Sequence, residues 1–174
     1  GYSSVEEVVI HDSSIRLNDA YTYNYCTIGG GTNGSFGSID IQNSQIHIPS
    51  SGGNTAIGNG WQVYYNRESR IRIANSEVSV RCASLGPAIG AAWDSGSGRI
   101  NILIENSTVT AKGGNLRTDG NYVPGIGKNA LGRAPEIGIQ ILNSTVDSFR
   151  LTEREGTDYV YDDLHTKELP GIPA

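Results

Sequence analysis

The sequence lacks an apolar run long enough to cross a membrane. A membrane-spanning helix needs about 20 predominantly apolar residues, and the apolar stretches of this chain are much shorter. The chain also opens at Gly1 without the basic and apolar segments of a secretory signal peptide. We therefore expect no membrane insertion.

Charged residues are also scarce, at 18% of the chain. The 13 Lys and Arg residues are outnumbered by 18 Asp and Glu residues. Domains that bind nucleic acid carry a basic patch or stripe, so we expect no nucleic-acid partner. Full disorder requires low hydrophobicity with high net charge, whereas this chain is 37% hydrophobic with a net charge of −5.

Histidine and cysteine are rare as well. The three histidines are His11, His47 and His165, and the two cysteines are Cys26 and Cys82. Their positions do not show the short spacings of zinc ligands. We expect neither a metal site nor a cofactor.

Glycine, in contrast, is abundant, with 23 residues among 174, about twice the usual share. It does not recur at every third position, which excludes collagen. The chain instead repeats an Asn-Ser or Asp-Ser pair every 31 to 37 residues. The first residues of these pairs are Asp12, Asn43, Asn75, Asn106 and Asn143. Four of the units also contain an Ile-Gly dipeptide, at 28–29, 57–58, 89–90 and 126–127.

Apolar residues alternate with polar ones around each pair. An isoleucine stands two residues before every pair, at Ile10, Ile41, Ile73, Ile104 and Ile141. Further Ile or Val residues stand four before it and three after it. This period of two predicts strands with one buried face, because a helix would place apolar residues at steps of three and four.

Two strands joined by a bend, with a third short apolar segment, recur in each unit of roughly 31 residues. This pattern predicts an all-β fold, a right-handed parallel β-helix (solenoid) of about five coils. Equivalent residues would form ladders ~4.8 Å apart. Asn side chains would stack and hydrogen-bond along the bend, and each Ile-Gly glycine would permit a corner with positive φ. A sandwich or propeller is the alternative, but those folds normally show hairpin turns such as Asn-Gly.

The Asn-Ser pairs at 43–44, 75–76, 106–107 and 143–144, with the four Ile-Gly dipeptides, resemble the right-handed parallel β-helix repeats of bacterial secreted and cell-surface proteins. The resemblance covers roughly residues 5–148 and implies an extracellular or cell-surface location. This architecture hosts pectin and alginate lyases, glycosidases, phage tailspikes and adhesins. The resemblance therefore predicts the fold and leaves the function open.

The two ends of the repeat region differ. Residues 1–148 carry the repeats, and the acidic segment 149–174 breaks them. Repeat proteins need their terminal edges covered, so we predict that 149–174 caps the last coil. The N-terminal end shows no comparable cap, which indicates excision from a longer protein or self-association through that end.

The cysteines fall in the first and third coils. Two coils correspond to about 9.6 Å, beyond the ~7 Å limit between the Cα atoms of a disulfide. We therefore predict that Cys26 and Cys82 are buried free thiols.

An aromatic surface is the first candidate binding site. Trp61 and Trp93 occupy equivalent positions of neighbouring units, with Tyr64, Tyr65 and Asp94 close in sequence. Stacked tryptophans with polar neighbours would suit the apolar face and hydroxyls of a sugar ring. The alternative is a small hydrophobic cluster beneath a loop.

A weaker candidate is catalytic. Asp40 and Arg72 are expected to point outward from adjacent strands, with Arg70 and His47 nearby. A lyase needs a base and a positive charge to stabilise a carbanion, and these residues are the best available set. An exposed ion pair explains Asp40 and Arg72 equally well. A glycosidase would need two facing carboxylates, which sequence positions do not establish.

The favoured hypothesis is a non-catalytic carbohydrate-binding or adhesion module of a larger extracellular bacterial protein. Its partners would be a carbohydrate or cell-surface glycan and the neighbouring domains of that protein. One alternative is a polysaccharide lyase or glycoside hydrolase domain, and another is a structural spacer or assembly module. The lack of a well-defined catalytic set favours binding over enzymatic activity.

Overall fold

The computed structural model describes residues 4–17, 26–51, 55–61, 67–82, 86–92, 94–96, 98–115, 123–129, 135–151 and 158–160. These ranges consist of strands, bends and turns. In chain order the strands are β1 (Val5–His11), β2 (Ser14–Arg16), β3 (Ile28–Gly30), β4 (Phe36–Gln42), β5 (Gln45–Ser51), β6 (Ile57–Asn59), β7 (Arg67–Ala74), β8 (Glu77–Cys82), β9 (Ile89–Ala91), β10 (Gly98–Glu105), β11 (Thr108–Asn115), β12 (Ile126–Lys128), β13 (Glu136–Leu142), β14 (Thr145–Leu151) and β15 (Asp158–Val160).

The strands form three sheets. The first has the order β1-β4-β7-β10-β13, the second β15-β14-β11-β8-β5-β2, and the third β12-β9-β6-β3. Every pair is parallel except the one between β14 and β15. Each of the first four repeats therefore adds one strand to each sheet, and the fifth adds β13 to the first sheet and β14 to the second. The prediction of an all-β protein with parallel sheets is confirmed, and the arrangement is compatible with a parallel β solenoid.

The strand register brings equivalent residues of successive repeats together. The isoleucine two residues before each pair lies opposite its counterpart in the next repeat, in the row Ile10, Ile41, Ile73, Ile104, Ile141. The Ile-Gly isoleucines form a second row, Ile28, Ile57, Ile89, Ile126. The inner members of both rows are fully buried. The repeat alignment made from the sequence is therefore confirmed.

Burial of the core decreases toward the two ends of the stack. In the first repeat Val8, Ile10 and Ile15 are only partly buried, whereas Ile39 and Ile41 in the second repeat are 0% exposed. An end repeat has a neighbour on one side only, so its apolar face is covered less completely.

Each Asn-Ser or Asp-Ser pair forms a sharp bend between the first and second sheets. Its first residue has a φ between 47° and 51° in all five repeats. Asn and Asp adopt this left-handed conformation more readily than other non-glycine residues. The predicted side-chain ladder of Asn amides is incomplete, because within the described residues only Asn43 Nδ2 donates to the side chain below it, at 3.1 Å from Asp12 Oδ1.

The serine that follows supplies the ladder instead. The backbone N–H of each serine donates to the hydroxyl of the serine in the next repeat, at 3.0–3.1 Å, through Ser13, Ser44, Ser76, Ser107 and Ser144. Each hydroxyl in turn donates to the carbonyl oxygen two residues before it, at 2.6–2.7 Å. The bends are thereby tied to one another along the stack.

The Ile-Gly glycines form the corner at the third sheet. Gly29, Gly58, Gly90 and Gly127 have φ between 129° and 144°, which confirms the predicted positive φ. Side chains other than hydrogen are rarely tolerated at such angles. The row also brings neighbouring backbones close together, since a methyl group on Gly58 would overlap the carbonyl oxygen of Gly90.

The predicted C-terminal segment 149–174 begins inside β14, which runs to Leu151. Its strand β15 pairs antiparallel with Phe149, Arg150 and Leu151. β15 therefore lies at the outer edge of the second sheet, where a cap would lie. The rest of that segment is outside the described residues, and its capping role stays a prediction.

Candidate functional site

The outer face of the first sheet carries a row of interacting polar and charged side chains. Asp40 and Arg72 are paired in register, and Arg72 Nη1 lies 3.3 Å from Asp40 Oδ1. Arg72 Nε and Nη2 lie 2.8 and 2.6 Å from Glu105 Oε1. His11 Nε2 lies 3.4 Å from Asp40 Oδ2. The expected Asp40–Arg72 pair therefore belongs to a longer row, which we call the charged row: His11, Asp40, Arg72 and Glu105.

These contacts make Arg72 a poor proton acceptor. Its hydrogen bond to Glu105, supported by the charges of Glu105 and Asp40 and opposed by desolvation, raises the pKa of the Arg72 guanidinium. A catalytic base needs a pKa near the working pH. The geometry thus favours the ion-pair interpretation of Asp40 and Arg72 over the catalytic one.

The structure does not bring His47 together with the charged row. His47 lies on β5 in the second sheet, opposite Arg16 and Ser79, whereas Arg72 lies on β7 in the first sheet. Arg70 is in the first sheet, opposite Ser38. The candidate catalytic set is therefore divided between two faces of the molecule.

A shallow groove of about 510 Å³ lies along the bend between the first and second sheets. Three successive repeats line this groove. Their contributions are Asn43, Ser44 and Gln45, then Asn75, Ser76 and Glu77, and then Asn106 and Thr108. We call it the bend groove.

The walls of the bend groove are two exposed rows of polar side chains. One row is Asn43, Asn75 and Asn106, and the other is Gln45, Glu77 and Thr108, which are opposite one another in register. Between them lie Ser44 and Ser76, which are 3% and 7% exposed. The serines are small and held by the hydrogen-bond ladder, so the groove has a low and rigid floor.

The second wall is free to bind. The side chains of Gln45, Glu77 and Thr108 make no hydrogen bond to any residue that the structure describes. They supply an amide, a carboxylate and a hydroxyl, which together offer both donors and acceptors. Their strands are adjacent in one sheet, so the three groups follow one another at intervals of ~4.8 Å. This arrangement suits an extended ligand with a polar group at every step.

The predicted aromatic surface lies mostly outside the described residues. Trp93, Tyr64 and Tyr65 lie outside the described residues. Trp61 is half-buried just after β6, and its carbonyl oxygen accepts a hydrogen bond from Asn33 N at 3.0 Å. Asp94 is half-buried with a φ of 51°. Stacking of Trp61 and Trp93 therefore stays a prediction.

The bend groove is the feature that sequence reasoning missed. Its signal was the residue directly after each Asn-Ser pair, which is polar in every case: Gln45, Glu77, Thr108 and Thr145. Their polarity in successive repeats indicates a continuous exposed row.

Neither cysteine forms a disulfide, which confirms the predicted free thiols. Cys82 is buried and Cys26 is partly buried. Cys26 Sγ donates to the carbonyl oxygen of Gly30 at 2.7 Å, as Thr55 Oγ1 donates to Asn59 at 3.0 Å in the next repeat. Desolvation, partly offset by a backbone hydrogen bond, raises the pKa of the Cys26 thiol to about 12.

We expect Cys26 to react slowly with alkylating reagents at pH 8, because the thiolate is the reactive form. The native rate should be at least about tenfold below that of the unfolded chain, with Cys26 followed separately from Cys82 by mass spectrometry of the labelled peptides. Equal native and unfolded rates for Cys26 would contradict the burial of its thiol.

The raised pKa of Cys26 also predicts a loss of stability at alkaline pH. As pH rises above 9.0, the ordinary pKa of a cysteine thiol, the unfolded state releases this proton before the folded state does. The free energy of unfolding should therefore fall between pH 9 and 12. The fall should be smaller in Cys26→Thr, because threonine has no thiol to ionise. Its hydroxyl can replace the thiol as a donor to Gly30, as Thr55 donates to Asn59 in the next repeat.

Within the described ranges, no three His, Cys, Asp or Glu side chains come together in a way that could hold a metal ion. The described part of the chain also contains no helix long and apolar enough to cross a bilayer.

The chain is thus an all-β repeat protein with parallel sheets and a polar groove along one bend. No protein-family model, no curated protein and no solved structure matches the chain.

Proposed function

We propose that the chain is a non-catalytic carbohydrate-binding module of a larger extracellular or cell-surface bacterial protein, built as a right-handed parallel β-helix of about five coils. The observation that carries the binding proposal is the bend groove, with its unpartnered side chains on a rigid floor. The β-helix proposal is supported by the parallel pairing of each strand with its equivalent in the next repeat.

An extended polysaccharide is the ligand class that fits the bend groove best. Sugar hydroxyls both donate and accept hydrogen bonds. The amide of Gln45, the carboxylate of Glu77 and the hydroxyl of Thr108 together supply the matching acceptors and donors. The interval of ~4.8 Å between strands is close to the length of one hexose unit in an extended chain. A glycan lying along the stack would meet one polar side chain at each sugar.

Binding in the bend groove predicts that Gln45→Ala and Thr108→Ala each weaken retention on the bound glycan. Loss of one hydrogen bond is worth about 0.5–1.5 kcal/mol, or roughly two- to tenfold in the dissociation constant. Affinity electrophoresis or calorimetry with the retained glycan measures this change. Gln140→Ala, a change at an exposed residue of the first sheet, is the matched control and should bind as the wild type.

Unchanged binding in both groove variants would remove the bend groove as the site. Loss of binding in Trp61→Ala or Trp93→Ala, with the fold intact, would then assign the glycan to the aromatic surface. Melting curves of all variants separate lost binding from lost folding.

A structural spacer or assembly module is the second candidate function, because the repeats stack strand upon strand and the serine ladder ties their bends together along the stack. The lyase or glycosidase alternative has less support, because the donors of Arg72 are already directed at Asp40 and Glu105.

A further inference from the structure

The second sheet carries a further polar surface directly beside the bend groove. A depression of about 210 Å³ shares Gln45 and Glu77 with the groove and adds Arg16, His47 and Ser79. Successive outward side chains on a strand are two residues, or roughly 6.6 Å, apart. A sugar chain in the bend groove therefore lies one such step from these added residues, and a substituent on it can contact them.

The outward side chains of this surface form two rows beyond the wall of the bend groove. The alternating burial of β8 directs Ser79 and Arg81 outward, because Val78 and Val80 are buried. The strand register extends both positions to the neighbouring repeats. We call the two rows the donor face: Arg16, His47, Ser79 and Thr110 in the row next to the groove, and Arg81 and Lys112 in the row beyond it.

The chemistry of the donor face differs from that of the groove wall. Guanidinium and ammonium groups donate hydrogen bonds and accept none, and an imidazole or a hydroxyl can donate as well. The groove wall, in contrast, offers the carboxylate of Glu77 and the amide oxygen of Gln45 as acceptors. The donor face therefore matches ligand groups that only accept hydrogen bonds, such as carboxylates and sulfates.

Most donors of this face are unused. Five of its side chains make no hydrogen bond or ion pair with any residue that the structure describes: Arg16, His47, Ser79, Thr110 and Arg81. Arg81 lies opposite Lys112 in the register, although like charges on neighbouring strands repel each other. The strands of both residues have a neighbour on each side, so this pair lies inside the stack. An anion bound between the two cations would replace their repulsion by two attractions.

Two carboxylates border the donor face among the outward side chains that the structure describes. Glu77 stands on the groove wall, one step from Ser79, and Asp147 lies opposite Thr110 in the fifth repeat. They confine the region suited to an anion to the first four repeats, on the side away from the bend. The whole chain has a net charge of −5, so an acidic ligand must be held by this local surface and not by the overall charge.

We propose that the ligand is an acidic polysaccharide whose carboxylate or sulfate groups bind the donor face. This inference rests on the proposed carbohydrate-binding function and specifies its ligand class. The sugar chain follows the bend groove, and its anionic groups lie over Ser79 and Thr110, within reach of the long side chains of Arg81 and Lys112.

Affinity electrophoresis in three polymers with one common backbone tests this proposal: carboxymethyl cellulose, cellulose sulfate and neutral hydroxyethyl cellulose. The wild-type chain should be retained by at least one acidic polymer more strongly than by the neutral one, and the two acidic polymers distinguish a carboxylate from a sulfate ligand. Arg81→Gln should raise the dissociation constant for the retained acidic polymer roughly three- to tenfold. Its melting temperature should not fall, because the change removes a repulsion.

Lys128→Gln is the matched control, because it removes one exposed positive charge from the third sheet and should bind as the wild type. Equal binding by the two variants, or displacement of the acidic polymer by single-stranded DNA, would show that the donor face does not recognise an acidic sugar and would overturn the proposal. Absence of retention on both acidic polymers would also overturn it. Retention on the neutral polymer that is lost in Gln45→Ala but kept in Arg81→Gln would overturn the acidic ligand and leave the carbohydrate-binding function in place.

Discussion

Replacement of Gly90 by alanine should destabilise the protein by about 3 kcal/mol or more. Gly90 has a φ of 130°, and such strain costs about 1–3 kcal/mol for other residues. The added methyl group would also overlap the carbonyl oxygen of Gly127 and lie 3.0 Å from its carbonyl carbon. These are backbone atoms of the next repeat, which can move only if the stacked strands separate. Overpacking of this kind adds about 1–3 kcal/mol.

Gly127→Ala is the matched control, because it has the same strain with much less overlap. Gly127 has a φ of 144°, and its nearest neighbour would be the Pro124 side chain at 3.1 Å. Urea denaturation of both variants measures the difference in the free energy of unfolding. Gly90→Ala should be clearly the more destabilised. Equal losses would mean that close contact between repeats contributes nothing at this corner.

Replacement of Ile73 by alanine should cost about 2–5 kcal/mol, the usual loss for a buried isoleucine. Ile73 is 0% exposed and lies between Ile41 and Ile104 in the register of the first sheet. Rigid strands on both sides prevent the cavity from collapsing, which places the expected cost toward the upper part of that range.

The same change at Ile10 should cost clearly less. Ile10 occupies the equivalent position in the first repeat and is only partly buried. Chemical denaturation of both variants measures the two losses in the free energy of unfolding. A loss at Ile10 as large as that at Ile73 would argue against a core that thins toward the end of the stack.

The repeat and its register could be predicted from the sequence because the signal recurs. One isoleucine in an alternating segment is weak information, but Ile10, Ile41, Ile73, Ile104 and Ile141 occur at the same offset from five pairs. Stacking equivalent residues is the simplest way to bury five such faces. The positive φ of the corner glycines followed from the same alignment.

The hydrogen bonds of the bend could not be assigned in the same way. An Asn-Ser pair offers two polar side chains, and the sequence does not show which of them faces the next repeat. In the structure the left-handed conformation of Asn75 exposes its amide, while Ser76 turns inward and accepts from Ser44 N. The ladder therefore belongs to serine rather than to asparagine.

The candidate site was predicted only in part, for a related reason. Asp40 and Arg72 share a register position, so their pairing followed from the alignment. Glu105 lies opposite Ala74 instead and reaches Arg72 diagonally, which long side chains can do. The bend groove depends on which side chains have no partner, and a sequence does not contain that information.

The most direct test of the binding function is retention of the purified chain on a panel of plant, microbial and mucin glycans. New reducing ends and unsaturated uronate absorbance should be recorded in the same samples. We expect retention on at least one glycan without the release of products. Product release would contradict a non-catalytic module, and the absence of both signals would contradict carbohydrate binding and leave the assembly role.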